Sequence, residues 1–554
     1  MGRNAESATR KLVRFCRARG SRSALRASAR WTNFVMLSLI LSPALAKSAD
    51  NLDVSVSVLF EEIKAKPVEL RHFLQNFPKG GDLHSHLSGA VYAESYLAIA
   101  LERDLCVSLE SKILLKPPCD PVKSPLLRSV LDNKDEFGFE NFNHLVNALS
   151  TRYYRLQSVS GRDQFFSTFQ RFFQALDGSR GDMLAEVVAR AGRQKILYLE
   201  LMQSLGMFEV AQKARSHGDI DAPFGSRVDH SMIDAEVVKV VKRLDKIEAR
   251  SDALLGCGSS SAEQRQGCSV EVRYLAQVIR ELSPIEVYAQ ALLAFRLIES
   301  DDRVVGLNFV APEDSPVALR DYKLHMKWIA ELNKNFPAAE AGVSLHAGEL
   351  TLGLVPPRHL GWHIREAVMV AGADRIGHGI DISYDEQMYE TLTYMAKNKI
   401  AVEINLTSNE VILGVQGEDH PFTTYKANGV PLTISTDDEG VSRTDLTNEY
   451  YRLVKTYDID YATLVSLSRN SLQYSFLPGA SLFEDTYTGR KTEECRQIAD
   501  SKSPKPIDSC AEFLSGSHKA SLQWELEQNF SSFEAYIKSQ LDVLNAKGNA
   551  DDRD

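Results

Sequence analysis

With 554 residues, 44% of them apolar and 25% charged, the chain has ordinary globular composition, which excludes a disordered, fibrous or low-complexity protein. Formal net charge is -10, and removing residues 1–46, with nine Lys or Arg against one Glu, leaves about -18. So acidic a body excludes nucleic-acid backbones and anionic membrane surfaces as main partners, and leaves a small neutral ligand open.

The N-terminus reads as a leader. A basic stretch from Arg3 to Arg30 precedes an apolar run, Phe34 to Leu41, and then the small-x-small pattern Ala44-Leu45-Ala46. That order matches a secretory signal peptide cut after Ala46, so residues 1–46 are expected to be removed and the protein exported to the periplasm or the medium. An Arg-rich, Ser/Ala-rich leader of this length also fits organelle targeting, the alternative. The apolar run is too short to span a bilayer as a stable helix, so no membrane partner is expected after cleavage. Cysteine usage agrees with export. Beyond Cys16, six cysteines fall into three near neighbours: Cys106 with Cys119, Cys257 with Cys268, and Cys495 with Cys510. Local pairing is expected, because each pair brackets a Gly-, Pro- or Lys-rich loop; six unpaired buried thiols are the other reading. No CxxC occurs, which argues against a cysteine zinc site.

Residues 47–554 are read as one domain with its core at about 70–475. Short β-rich runs alternate there with amphipathic stretches. The runs are Lys195–Met202, Val304–Val310, Gly342–Leu345, Arg375–Ile376, Ile400–Leu406 and Pro431–Ser435. Helical periodicity follows at His359–Val370, Asp385–Asn398 and Leu446–Tyr457. Such alternation indicates a parallel sheet with helices outside, and the α/β class expected is a (β/α)8 barrel. Three stretches read as insertions: about 103–135, 205–275 and 480–515, each locally stapled by a cysteine pair. Leu522–Leu544 reads as a closing helix.

Four short clusters carry the chemistry. In Gly81-Asp82-Leu83-His84-Ser85-His86-Leu87-Ser88-Gly89, His84 and His86 lie two apart on a strand and so share one face, where both reach one ion. His346-Ala347-Gly348-Glu349 follows an apolar run and puts an imidazole at a strand end and a carboxyl in the loop beyond it. Gly377-His378-Gly379 places a histidine between glycines at another strand end. Asp437 and Asp438 follow Val430–Ile434 side by side, an arrangement that repels itself unless a cation or a donor-rich ligand is present. Each alone has an ordinary reading as a surface pair, a helix start, a turn or a solvated acidic loop. All four fall at strand ends, however, and in a (β/α)8 barrel those ends gather on one face, where active sites sit. Three histidines and an aspartate there make a divalent-metal site, with zinc the ion that ligand set favours.

The order and wording of these motifs resemble the adenosine/AMP deaminase family of metal-dependent hydrolases, over roughly residues 70–475. The resemblance implies one Zn2+ per chain, held by His84, His86, His346 and Asp437. It implies that His378 holds the attacking water and assists its deprotonation, and that Glu349 protonates the purine ring nitrogen beside the attacked carbon. Asp438 would hydrogen-bond the purine on its imidazole side, and the Gly306 backbone would meet the ring from the opposite side. The implied reaction converts adenosine or a related adenine nucleoside to the inosine-type product and ammonia. Ser88 stands where the family has an Asp that helps hold the sugar hydroxyl, and Glu439 stands where a Pro is usual. Both departures bear on the substrate rather than on the metal.

Other histidines are read more plainly. His359 and His363, four apart, are taken as the packing face of a helix; His420-Pro421 as a loop near the site; and Thr407-Ser408-Asn409 as pocket lining. Two further readings stand beside the deaminase. One is a metal-dependent amidohydrolase of the same superfamily acting on a different amine or amide. The other is a secreted binding or signalling protein built on this fold.

Overall fold

The computed structural model describes residues 54–131, 136–258, 267–498 and 506–551. The leader and its cut after Ala46 lie outside the described residues. Among the described residues the main sheet has eight strands, in chain order β1 Gly80–His86, β2 Ile196–Gln203, β3 Glu271–Ile279, β4 Val304–Val310, β5 Gly342–Ala347, β6 Arg375–His378, β7 Ala401–Ile404 and β8 Leu432–Ile434. Their order in the sheet is their order in the chain, and every neighbouring pair is parallel. The sheet closes just past β8. There the Asp437 N–H donates to the His84 carbonyl at 2.8 Å, and the His86 N–H donates to the Asp437 carbonyl at 3.1 Å. This is the (β/α)8 barrel that the alternation predicts.

Strands covered on both faces are buried throughout, as all of β1 and β2 are. The helices outside are laid down by local signals. Pro284–Ser300 starts with Pro284 in its first turn, while Glu286 accepts from the Ser283 N–H at 3.2 Å. It packs on β3, β4 and three neighbouring helices, so its side chains are buried most of the way round. Among the described residues no helix is long and apolar enough to cross a membrane.

Two sequence expectations need correction. The stretch 205–275, read as an insertion, runs into β3, which begins at Glu271. Within β3, Val272, Tyr274, Ala276 and Val278 join the main core, while Gln277 reaches His86 inside the barrel. Polar residues on the interior face broke the apolar run that marks the other strands. Second, His359–Val370 is not one helix. His359 ends a short turn, Gly361 follows with φ +77°, and the helix starts at His363. Within the stretch read as an insertion lies a long helix, His230–Leu255, and the closing helix, His518–Asp551, extends beyond Leu522–Leu544 at both ends. All three local disulfides form, with Cα separations of 4.7–5.5 Å. The last of them, Cys495–Cys510, packs with Leu482, Phe483 and Ala520 in a small core of its own.

Candidate active site

The four strand-end clusters meet at the C-terminal face of the barrel. His84 Nε2 lies 3.1 Å from His346 Nε2 and 3.5 Å from Asp437 Oδ1. His86 Nε2 lies 3.4 Å from His346 Nε2 and 3.3 Å from Asp437 Oδ1. Donors bound tetrahedrally at about 2.0–2.1 Å from zinc stand about 3.3–3.4 Å from one another. These four distances suit donors that share one divalent ion, and His84, His346, His378 and Asp437 offer donor atoms within 4.8 Å of one another.

Each imidazole is also turned for ligation by a partner at its other nitrogen. His84 Nδ1 meets Glu403 Oε2 at 2.5 Å, His86 Nδ1 meets Gln277 Oε1 at 3.3 Å, and His346 Nδ1 meets Asn308 Oδ1 at 2.7 Å. Each partner is an acceptor, so each ring keeps its proton on Nδ1 and turns the Nε2 lone pair toward the common point. Glu403 is anchored in turn: Arg375 Nε donates to it at 2.5 Å, and Ser344 Oγ at 2.9 Å. Arg375 also reaches Glu200 at 2.5 Å and lies over the Phe476 ring, so a buried ion network inside the barrel supports the site. None of Glu403, Gln277, Asn308 or Arg375 was singled out from sequence; a polar residue inside a buried strand run was the available signal.

Electrostatics call for a cation at this point. Burial resists charge on His84, yet hydrogen bonds to Asp437 and Glu403 push its pKa up to about 10. Burial likewise opposes ionisation of Glu403, but Arg375 and His84 bring it down to about 2. Asp437 is held well below the usual carboxylate range, its burial overridden by hydrogen bonds from His84 and His86. Asp438 Oδ1 and Glu349 Oε1 are buried without a hydrogen-bond partner among the described residues. Such groups fit a divalent ion and a donor-rich ligand.

Glu349 and Asp438 are shifted the other way. Burial, then the charges of Asp437 and Glu313, push Glu349 well above its ordinary range. Burial and Asp437 do the same to Asp438. Burial and neighbouring negative charge thus push both carboxyls toward the protonated form. The Glu349 loop is held from below, where Glu313 accepts from the Gly348 N–H at 3.0 Å and the Glu349 N–H at 2.8 Å. His363 Nδ1 meets Glu313 Oε1 at 2.5 Å, so His363 supports this loop and is not merely helix packing. A Cβ on Gly89 would fall 1.4 Å from Asp438 Oδ1, which explains the glycine there.

His378 adopts φ +69° and Asp437 φ +59°, left-handed conformations costly to non-glycine residues and common where function demands them. A chain of hydrogen bonds fixes the tautomer of His378. The Phe422 N–H donates to His420 Nδ1 at 3.1 Å, so neutral His420 carries its proton on Nε2. That nitrogen donates to Asn409 Oδ1 at 3.1 Å, and Asn409 Nδ2 donates to His378 Nδ1 at 2.9 Å. The proton of His378 therefore sits on Nε2, which has no protein partner. Burial brings the pKa of His378 down to about 3. In this tautomer the Nε2–H of His378 can donate a hydrogen bond to an oxygen placed at the cluster.

Gly306 needs correction. It lies near the start of β4, in register with Leu275 and Gly342, where a Cβ would meet the Gly342 carbonyl at 2.4 Å. It is a close-packing position remote from the strand end. Just past that end lies Ala311, with φ +83°. Ser88 is near the cluster and lines an adjoining cavity. Glu439 is buried and pairs with Arg190 at 2.9 Å, a structural contact behind Asp438.

Asp381, under Gly348, gives a pH test. Burial pushes its pKa up to about 7, against one hydrogen bond from the Gly361 N–H. Ionisation is thus harder in the folded chain, so stability is lost as pH rises from the unfolded value near 4 through about 7. Asp381→Asn is expected to raise Tm by a few degrees at pH 8 and by clearly less at pH 5.5. Equal shifts at both pH values would rule out the linkage.

A sequence model of the family described as adenosine deaminase matches residues 226–482. The chain is 31% identical over 186 residues to the adenosine deaminase of Clostridium perfringens, covering 33% of this chain and 51% of that protein. Residues 226–482 are thus similar to the adenosine deaminase family. It is 35% identical over 149 residues to the aminodeoxyfutalosine deaminase of Streptomyces coelicolor, covering 26% of this chain and 36% of that one. The chain thus spans about half the length, or less, of these adenosine deaminase-like relatives. Among solved structures, the N6-methyl-AMP deaminase of Arabidopsis thaliana is similar with a TM-score of 0.47 and 19% identity, covering 78% of this chain and 99% of that one. A zinc-bound amidohydrolase from Burkholderia ambifaria gives 0.42 and 17%, covering 74% and 88%.

Proposed function

We propose that this chain is an exported enzyme that hydrolytically deaminates an adenine nucleoside, using one zinc ion held by His84, His86, His346 and Asp437. The observation that carries this reading is the convergence of three Nδ1-tethered imidazoles and one carboxylate at 3.1–3.5 Å, beside a buried Glu349 whose carboxyl is pushed toward protonation by burial. The names of the relatives support deamination as the reaction. The leader pattern and three disulfides support export.

When bound, a divalent ion at that point supplies a nucleophile at neutral pH by acidifying water. His378 holds the attacking oxygen through its Nε2–H. Glu349 gives its proton to the ring nitrogen beside the attacked carbon, which makes that carbon electrophilic. Asp438, kept protonated, donates to the ring nitrogen on the imidazole side. The amino group leaves as ammonia and the carbon keeps the oxygen of water. The reaction needs Glu349 protonated, so kcat/KM is expected to fall on the alkaline side as pH rises through its raised pKa.

The test is to purify the exported protein, determine its first residue and metal content, and follow ammonia release from adenosine and 2′-deoxyadenosine. A start at residue 47, about one zinc per chain and turnover are expected. Bound zinc with no ammonia from any adenine nucleoside would defeat the reading.

A further inference from the structure

Arg280 stands one residue past β3 and is only 1% exposed, yet its Nε and Nη2 have no hydrogen-bond partner among the described residues. Its backbone is fixed. The Arg280 N–H donates to the Val310 carbonyl at 3.1 Å, and the buried Gln290 amide engages both the N–H and the carbonyl of Ile279. The remaining guanidinium nitrogen, Nη1, donates to the His346 carbonyl at 3.3 Å. A cation buried this completely is costly unless a nearby charge answers it. Glu313, equally buried, is that charge. Burial opposes its ionisation, but His363 and then Arg280 hold its carboxyl below the ordinary range.

The two residues grip one turn from opposite ends. His346-Ala347-Gly348-Glu349 carries a ligand of the proposed metal at its start and the proton donor at its end. Arg280 holds the carbonyl at the start, and Glu313 accepts from the Gly348 and Glu349 N–H groups at 3.0 and 2.8 Å. Between them the Gly379 N–H donates to the Ala347 carbonyl at 3.2 Å and the Ile380 N–H to the Gly348 carbonyl at 2.9 Å. Both charges also act on the Glu349 carboxyl. Burial, then Asp437 and Glu313, push it toward protonation; Arg280 and His84 pull it the other way, and His378 Nδ1 stands 3.7 Å from it.

We propose that Arg280 is a positioning residue for the reaction: with Glu313 it forms a charged clamp that keeps His346 and Glu349, metal ligand and proton donor, in one fixed relation. The proposal rests on the deaminase reading above. Proton transfer needs the donor within about 3 Å of the ring nitrogen, and a misplacement of about 1 Å can cost 10²-fold in rate. A turn held at only one end leaves that distance free to vary. The clamp also has a sign that packing lacks. Arg280 is positive and Glu313 negative, so removing either one loosens the turn, but the two removals act on the Glu349 proton in opposite directions.

The test uses Arg280→Met, which keeps a long side chain and removes the charge and the donors. Its zinc affinity, read by competition against a chelator, is expected to fall about tenfold to a hundredfold, as for other outer partners of a metal ligand. With zinc loaded, kcat for adenosine should fall by a similar factor while KM changes little. The alkaline limb of kcat/KM should move to higher pH in Arg280→Met and to lower pH in Glu313→Gln. Arg280→Lys keeps the charge, so its limb should stay at the wild-type position and part of kcat should return. Limbs that stay in place, or that move in the same direction, overturn the proposal, as does Arg280→Met with the zinc affinity and kcat of the wild type. Should Arg280→Met fail to fold, Arg280→Gln takes its place with the same expectations. Zinc-loaded wild type that releases no ammonia from any adenine nucleoside overturns the deaminase reading; unchanged zinc affinity in Arg280→Met would then overturn the clamp as well.

Discussion

Glu349→Gln is expected to lower kcat for adenosine by about 10²- to 10⁴-fold, the range of a lost general acid. The substitution preserves size and still offers an amide N–H to the purine, so positioning survives and proton transfer does not. Glu349 touches none of the tethers that orient the histidines, so metal content should stay at about one per chain. Its loop is held through backbone N–H groups by Glu313, so the variant should also fold. Single-turnover kinetics on protein of matched zinc content is the direct measurement. A loss confined to KM, with kcat preserved, would reassign Glu349 from proton donor to binding contact.

The second large effect concerns the metal. His346→Ala removes one of four donors and leaves Asp437 and the remaining imidazoles facing a gap. Loss of an outer partner of a metal ligand costs roughly 10- to 100-fold in affinity, and loss of the ligand itself should exceed that. Asn308→Ala serves as the graded comparison, because Asn308 only orients His346 through Nδ1 at 2.7 Å. Competition against a chelator should rank the affinities as wild type, then Asn308→Ala, then His346→Ala, with turnover following in that order. Metal binds the folded site and not the unfolded chain, so chelation should also lower Tm of the wild type. Equal zinc affinity in wild type and His346→Ala would remove His346 from the ligand set.

The site was legible in unequal parts. His346, and Asp437 with Asp438, follow strands whose apolar runs are continuous, and His84 and His86 stand two apart in one motif, so residue and placement could be read locally. Glu349 and His378 followed from the loops attached to those ends. The tethers could not be read in this way. Glu403 and Asn308 are single polar residues within strands, and nothing local says which histidine each one faces. Strand β3 escaped notice for a related reason: Arg273 and Gln277 interrupt its apolar run because they face the barrel interior. Gly306 shows the opposite error, in which a glycine looked like a ligand contact when its backbone approach was to Gly342 at the far end of the barrel.

By itself, then, the sequence determined the alternating α/β architecture, the three local disulfide pairs and the identity of the groups that could bind metal and move a proton. Those properties depend on residues near one another in the chain: periodicity, turn glycines and short loops between cysteines. Only the tertiary structure decided which nitrogen of each imidazole faces the metal, that His378 carries its proton on Nε2, and that Arg280 and Glu313 hold the turn from His346 to Glu349 at opposite ends. Each of these depends on partners far apart in sequence, such as His84 and Glu403 or Arg280 and His346. Closure of the barrel between β1 and the end of β8 brings them together, and burial then makes every hydrogen bond, and every missing one, count.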